Sequence, residues 1–173
     1  MFAVQMAATI LVKLHINNLF LSHFYFTLQF IILSLFYYQL LKENYQKKII
    51  IFNLIVCLTI LSIQYALDWS LFYRFSLLEI FITSLPIIIY ATFHLYNLLN
   101  EKRKFYYINI GLLIYLFGST IVFLTANLLI SLDNKMPFRY IFDLNVYLYV
   151  VYQLFILYEL GKGNSIKNAK NHE

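Results

Sequence analysis

The chain has 173 residues, of which 62% are hydrophobic and 12% are charged. A soluble domain is nearer half apolar and a quarter charged, so this composition excludes an ordinary soluble protein and predicts that lipid is its solvent. The formal net charge of +5 does not indicate nucleic-acid binding, because the basic residues lie in short clusters between apolar blocks.

Five apolar blocks are long enough to cross a bilayer core, which needs about 20 residues. We place them at residues 18–41, 49–67, 76–98, 105–131 and 140–160. The polar connections are short, which favours consecutive antiparallel helices, and the alternation of a membrane β-strand is absent. The sequence therefore predicts an all-α fold, a polytopic transmembrane helix bundle that forms a single domain over residues 1–160.

Both ends of the chain differ from these blocks. The apolar segment "MFAVQMAATILVKL" is too short to span a bilayer, and no basic region precedes it, which argues against a signal peptide. We expect it to be an interfacial helix or the last turns of a helix whose beginning is missing. The polar residues 161–173 have little to bury and are predicted to form a mobile cytoplasmic tail.

Lysine and arginine counts alternate along the chain. The first connection, the third connection and the tail each hold three, whereas the second holds Arg74 alone and the fourth holds Lys135 and Arg139. Basic residues favour the cytoplasmic side. This alternation predicts a multi-pass protein of the bacterial inner membrane with a cytoplasmic C-terminus. The three clusters are Lys42, Lys47 and Lys48; Lys102, Arg103 and Lys104; and Lys162, Lys167 and Lys170.

The third apolar block begins with Ser76 and Glu79, which fit the capping box S-x-x-E. A carboxylate there also suits the positive end of the helix dipole. Glu79 nevertheless heads a polar stripe, and such a stripe in a membrane helix faces the bundle interior or a wet cavity. The sequence leaves both interpretations open, helix cap or site. The stripe comprises Glu79, Thr83, Pro86, Tyr90, His94 and Asn97.

Two other residues of this stripe carry separate expectations. Pro86 is expected to kink the helix, and His94 is expected to snorkel toward the cytoplasmic interface. The first block has a similar face, formed by His23, Thr27, Ser34 and Tyr38.

With this orientation, six polar residues from five helices lie in the outer third of the bundle. We hypothesise that they line an external ligand-binding pocket, although helix ends are polar in any case. The six are His23, Gln64, Glu79, Asn127, Asp143 and Asn145. On the fourth block Gly111, Tyr115 and Gly118 share a face that would admit a neighbouring helix closely, so we predict a helix-packing role for these three.

No pattern of residues predicts catalysis, a metal or a cofactor. His23 and His94 lie at opposite ends of their helices, so one haem cannot bridge them. Neither an HExxH zinc pattern nor a P-loop is present, and Cys57, the single cysteine, is predicted to be a small buried hydrophobic residue. An enzyme is therefore unsupported, and we expect no cofactor.

Three stretches of residues 15–131 resemble a set of uncharacterised multi-helix inner-membrane proteins of Bacteroidota such as flavobacteria. They are "NNLFLSHFYFTLQFIILSLFYYQLL", "SLLEIFITSLPIIIYATFHLYNLL" and "FYYINIGLLIYLFGSTIVFLTANLL". Members of that set have Glu where this chain has Gln29, and they carry further apolar helices upstream. The resemblance therefore implies an N-terminally shortened member. It rests on Asn18, His23, Tyr25, Glu79, Asn109, Gly111, Tyr115, Gly118 and Asn127.

The sequence thus favours a non-enzymatic, receptor-like or accessory membrane protein that senses a small ligand or partner on the external side. One alternative is a small transporter or proton-conducting protein in which His23, Glu79 and Asp143 relay protons or bind a cation. Another is a structural subunit of a membrane complex. The expected partners are the lipid bilayer and a membrane protein or a second copy of the chain.

Overall fold

The computed structural model describes residues 19–74, 76–99, 105–131 and 138–170. Every regular element among them is helical, which confirms the predicted all-α fold. Five of the helices are long and apolar enough to cross a membrane, so the chain is a multi-pass helical membrane protein. The elements are α1 (Leu19–Leu40), α2 (Asn44–Leu67), a 3-10 helix (Trp69–Tyr73), α3 (Leu77–Asn97), α4 (Tyr106–Ser131) and α5 (Phe138–Lys170).

Two helix boundaries differ clearly from the sequence prediction. Helix α2 begins at Asn44, because the polar residues before the apolar run of residues 49–67 also adopt helical conformation. Helix α5 continues to Lys170, well beyond the predicted end at residue 160, so residues 161–170 of the predicted tail are helical. The N-terminal segment of residues 1–14 and residues 171–173 lie outside the described residues.

The chain divides into two compact units between Tyr90 and Ala91, within α3. The first unit contains α1, α2, the 3-10 helix and the first part of α3, and the 3-10 helix packs against both α1 and α2. Its helices are apolar on most faces, so polarity alone does not separate the interior from the lipid-facing surface. The most buried large side chains of this unit are Phe30, Tyr37, Leu41, Ile50, Ile80, Ile87 and Tyr90.

Side-chain to backbone hydrogen bonds satisfy polar groups in the first turns of α3. Ser76 caps the helix, since its Oγ accepts from the Glu79 amide at 3.3 Å. The helix continues through Pro86. One turn after Glu79, the Thr83 hydroxyl donates to the Glu79 carbonyl at 2.8 Å, so this hydroxyl is satisfied within the helix.

In the second unit, α4 and α5 pack along each other in an antiparallel register. A Cβ atom on Gly111 would lie 2.6 Å from Phe155 Cβ, and one on Gly118 would lie 2.6 Å from a Leu148 methyl carbon. Between these two positions Tyr115 stacks on Tyr152, with ring centroids 5.6 Å apart. Gly111, Tyr115 and Gly118, the residues of the predicted packing face, therefore all lie at this helix–helix contact.

The α4–α5 contact also includes a polar connection at one end. The Glu159 carboxylate of α5 accepts a 2.8 Å hydrogen bond from the Tyr107 amide in the first turn of α4. First-turn amides have no intrahelical partner, and a negative charge there also suits the helix dipole. Glu159 therefore acts as a helix cap supplied by a different helix.

Candidate functional site

A buried group of polar side chains joins the three helices of the first unit at one end. His23 Nδ1 of α1 contacts Glu79 Oε2 of α3. The Tyr65 hydroxyl of α2 donates to the same Glu79 oxygen at 2.8 Å and lies 2.9 Å from His23 Nδ1. The Thr27 hydroxyl donates to Glu79 Oε1 at 3.3 Å. We call His23, Thr27, Tyr65 and Glu79 the outer cluster.

The two residues at the centre of the outer cluster are buried, whereas Thr27 and Tyr65 are half-buried. Glu79 has 0% of its surface exposed and His23 has 3%. The Phe72 ring of the 3-10 helix packs on both His23 and Tyr65, with centroid distances of 5.9 Å and 4.4 Å. The segment after α2 therefore covers the cluster with an aromatic side chain.

The hydrogen bonds assign different roles to the two nitrogens of His23. Tyr65 donates to Glu79, so its oxygen can accept from an Nδ1–H, and the Glu79 carboxylate is also an acceptor. Both neighbours therefore favour a proton on Nδ1. The other nitrogen, Nε2, is buried and has no hydrogen-bond partner among the described residues.

Of the capping box that the sequence predicted at Glu79, the structure shows the serine half, while the contacts of the carboxylate are with neighbouring helices. The Glu79 amide is capped by Ser76, whereas its carboxylate is directed to His23, Tyr65 and Thr27. A fully buried carboxylate is costly unless several donors satisfy it, and here three side chains surround it. The helix start therefore positions the carboxylate, and the neighbouring helices stabilise it.

The six residues of the hypothesised pocket divide between the two units. His23 and Glu79 meet directly, and Gln64 lies beside them, with its Nε2 donating to Ser76 Oγ at 3.4 Å. The Gln64 Oε1 atom is buried and has no partner within the described part of the chain.

The other three hypothesised pocket residues belong to the second unit. Asn127 and Asp143 are exposed. Asn145 is half-buried, and its Oδ1 has no partner among the described side chains and backbone. His94, which was expected to snorkel, is instead buried with only 5% exposed.

Tyr65 belongs to the outer cluster but was not predicted as a site residue. Its spacing carries a usable signal, because Cys57 and Leu61 are buried on α2 and Tyr65 lies one further turn along the same face. The general aromatic richness of the chain hides this signal.

A second set of polar residues lies deeper in the same unit. Ser34 of α1 and Tyr90 of α3 are fully buried, and Ser34 and Asn53 of α2 are both near enough to the Tyr90 hydroxyl to be its hydrogen-bond neighbours. Neither the Tyr90 hydroxyl nor the Ser34 hydroxyl makes a hydrogen bond of acceptable geometry with a described residue. We call Ser34, Asn53 and Tyr90 the inner polar layer.

The described residues contain no group of three or more His, Cys, Asp or Glu side chains that could hold a metal ion. A groove of about 410 Å³ in the second unit is apolar and has no charged group with which to orient a polar ligand. It is lined by Tyr107, Val151, Leu154, Phe155 and Tyr158. The outer cluster is therefore the strongest candidate site within the described part of the chain.

Protein-family models, curated proteins and solved structures were compared with the chain, and none matches it.

Proposed function

We propose that the chain is a non-enzymatic, receptor-like or accessory protein of the bacterial inner membrane that binds and releases a proton at the outer cluster. The observation that carries this proposal is the fully buried Glu79 carboxylate in contact with His23 and Tyr65. Ionisable residues within membrane helices are expensive and mark proton or ligand sites. A protein with no further use for Glu79 would need only the Ser76 cap.

The charge of the His23–Glu79 pair gives this site its sensitivity to pH. A pair that holds one exchangeable proton has no net charge. A further proton leaves a buried positive charge, and loss of the proton leaves a buried negative charge; both are penalised in a medium of low dielectric constant. Folded stability should therefore be greatest at an intermediate pH and fall on both sides.

Single substitutions distinguish the loss of stability at low pH from the loss of stability at high pH. Glu79→Gln leaves a histidine that is best kept neutral, so this variant should gain stability as pH rises. His23→Gln leaves a carboxyl group that is best kept protonated, so it should gain stability as pH falls. The double variant should show neither slope. The measurement is the thermal midpoint of the purified protein in detergent between pH 5 and pH 8, and a common profile for all four proteins would reject the proposal.

The pH dependence can be attributed to His23 and Glu79 because the described side chains that surround them are uncharged. Helix α1 adds the neutral Thr27, α2 adds the Tyr65 phenol and the Gln64 amide, and the 3-10 helix adds the apolar Phe72. The charged residues next to the 3-10 helix, Asp68 and Arg74, are exposed.

The cellular setting is part of the same proposal. The alternation of basic residues supports an inner-membrane protein whose outer cluster faces the exterior and whose C-terminus is cytoplasmic. The resemblance to inner-membrane proteins of Bacteroidota agrees with that setting. A signal from the cluster would pass to a membrane partner or a second copy of the chain. The exposed span of α5, where no residue is buried, offers a surface for either.

A proton-conducting protein is the second candidate, and the inner polar layer favours it. Conduction requires polar groups or water on both sides of the bilayer centre. Proton flux into vesicles that contain the purified protein distinguishes the candidates, because a sensor needs to exchange protons with only one side.

A further inference from the structure

The inner polar layer repeats the construction of the outer cluster at greater depth. Ser34 follows His23 by eleven residues on α1, and Tyr90 follows Glu79 by the same number on α3. Asn53 precedes Tyr65 by twelve residues on α2, which runs in the opposite direction. With the rise of an α-helix, each offset corresponds to about 16–18 Å. All three helices therefore contribute polar groups at two matched levels.

The inner polar layer has hydrogen-bonding capacity that the described protein atoms do not use. Each hydroxyl of Ser34 and Tyr90 can donate one hydrogen bond and accept others. The two hydroxyls lie near each other and near Asn53, yet neither makes a hydrogen bond of acceptable geometry with a described residue. Buried polar groups in native proteins are almost always paired with protein or with ordered water. Two such hydroxyls beside the Asn53 amide form a site that suits a small molecule able both to donate and to accept, which is water.

The surroundings of this layer differ on its two sides. Toward the end of the unit that carries Lys42 and Lys47, two further polar side chains are fully buried, Tyr37 and Gln46. Both already have interactions within the protein. Polar groups therefore continue from the inner polar layer to the basic end of the unit.

On the other side, toward the outer cluster, the most buried side chains are apolar: Phe30 of α1, Leu61 of α2, and Ile80 and Ile87 of α3. Gln29 and Ser84 are also buried between the two levels, and the Thr83 hydroxyl is held by the α3 backbone. We call Phe30, Leu61, Ile80 and Ile87 the apolar layer.

We infer that water enters the first unit from its basic end and reaches Ser34, Asn53 and Tyr90, and that the apolar layer stops it there. This inference goes beyond the proposed function and does not rest on it, because hydration of the inner polar layer requires no protonation at His23 or Glu79. It identifies the apolar layer as the barrier between internal water and the outer cluster. Hydrophobic constrictions of this kind gate membrane pathways by excluding water.

The single cysteine provides a probe for this inference without any substitution. Cys57 lies one helical turn from Asn53 and interacts electrostatically with Tyr90, so it borders the inner polar layer. Silver ion, a small hydrophilic reagent, replaces the thiol proton and blocks later alkylation. The experiment exposes inverted and right-side-out membrane vesicles to silver ion, quenches it, denatures the protein and measures N-ethylmaleimide addition by mass spectrometry.

Cys57 should be blocked in the vesicles whose outer face carries the basic end, which are the inverted ones if that end is cytoplasmic, and should remain free in the vesicles of opposite orientation. In a Cys57→Ala background, Glu43→Cys at the exposed basic end should react fully from the same side, and Leu61→Cys within the apolar layer should not react. If Cys57 stays free under conditions that block Glu43→Cys from the same side, or if it reacts only from the opposite side, the inference is overturned.

A second measurement uses the sign of a stability change. Removing the Tyr90 hydroxyl should lower the thermal midpoint by about 2–4 °C if water, together with Ser34 and Asn53, satisfies it. The same Tyr90→Phe change should raise the midpoint if the hydroxyl is dry and unpaired, and that result would contradict hydration. Tyr73→Phe, at an exposed position of the 3-10 helix, is the matched control and should leave the midpoint unchanged. Both measurements are independent of the pH profiles of the His23 and Glu79 variants.

Discussion

Tyr65 of α2 donates a 2.8 Å hydrogen bond from its hydroxyl to the Glu79 carboxylate of α3. The same hydroxyl lies 2.9 Å from His23 of α1. One phenol therefore links the only two ionisable side chains of the outer cluster besides itself, and it does so from a third helix. Substitution of Tyr65 therefore removes hydrogen bonds from the outer cluster while both of its ionisable partners, His23 and Glu79, stay in place.

We predict that Tyr65→Phe destabilises the protein by about 1.5–3 kcal/mol, the usual contribution of a hydrogen bond to a charged group. The aromatic packing on Phe72 would be retained, so the loss reports the hydroxyl. Denaturant or thermal unfolding in detergent measures it. Tyr73→Phe serves as the control, because Tyr73 is 56% exposed; equal effects of the two substitutions would show that the Tyr65 hydroxyl contributes nothing specific.

Glycine substitutions test the packing of α4 on α5. Gly111→Ala places a methyl group 2.6 Å from Phe155 Cβ, an atom fixed to the backbone, and should cost about 1–3 kcal/mol of stability. Gly118→Ala meets the end of a flexible leucine side chain, Leu148, so it should cost less. The measurement is the thermal midpoint of each variant.

Gly161 provides the control for these substitutions. It lies in helix α5, and apart from its chain neighbours and the adjacent backbone of that helix no described heavy atom lies within 4 Å of the position that an alanine methyl group would take. Gly161→Ala should therefore be neutral, or should stabilise the helix by up to about 1 kcal/mol through its higher helix propensity. If Gly111→Ala behaves like Gly161→Ala, the close approach of Phe155 is not present in solution.

The number and nature of the helices could be predicted from the sequence, because lipid demands long apolar segments whose backbone is satisfied internally. The sequence placed His23 and Glu79 among the six residues of a hypothesised pocket, but it did not predict that these two side chains contact each other. Polar periodicity identifies the face of a helix, but it does not say which neighbour that face meets. Asn127 and Asp143 show this limit, since both entered the same set and both have exposed side chains.

Tyr65 and Glu159 illustrate why the remaining contacts were not predicted. Tyrosine is abundant in this chain, so one functional phenol has no compositional signal. Glu159 caps a helix that begins 53 residues earlier, and no local pattern connects a carboxylate with a distant helix start. Caps from within a helix, such as Ser76 for α3, have a fixed spacing and are predictable.

The cap that Glu159 supplies to α4 leads to a third prediction. Glu159→Ala removes the acceptor of the Tyr107 amide and should cost about 0.5–2 kcal/mol, as loss of a helix cap does. Glu159→Gln keeps an acceptor but loses the interaction with the helix dipole, so it should cost less. Amide hydrogen exchange at the start of α4 measures the change locally, and an unchanged exchange rate in Glu159→Ala would contradict the cap.

The proposed orientation gives a fourth prediction. Reporter enzymes that are active only in the periplasm should be inactive when fused after Asn100 or after Gly163, because three basic residues follow or precede each position in the proposed cytoplasmic segments. A fusion after Arg74 should be active. Activity at the first two positions and none at the third would reverse the proposed orientation.

The 3-10 helix that covers the outer cluster should itself respond to acid, and the direction follows from Asp68. The Asp68 carboxylate accepts a 2.9 Å hydrogen bond from the Ser70 amide. The hydrogen bonds with Ser70, aided by the nearby Arg74, hold the pKa of Asp68 below its ordinary value of 3.8. A depressed pKa means that the carboxylate stabilises the folded segment at higher pH, and that this contribution is lost as pH falls below 3.8 through the folded value.

Trp69, the single tryptophan, lies next to Asp68 and packs on Phe72 at a centroid distance of 4.9 Å. Its fluorescence should therefore change on acidification, with a midpoint below pH 3.8, as the 3-10 helix loosens. Asp68→Asn retains an acceptor for Ser70 but cannot titrate, so this step should disappear. Glu79→Gln should retain it, because the step originates in an exposed turn and not in the buried cluster. A midpoint above pH 3.8 in the parent, or an unchanged fluorescence step in Asp68→Asn, would show that another group causes the response. In that case, protonation of Asp68 does not loosen the 3-10 helix that covers His23 and Tyr65.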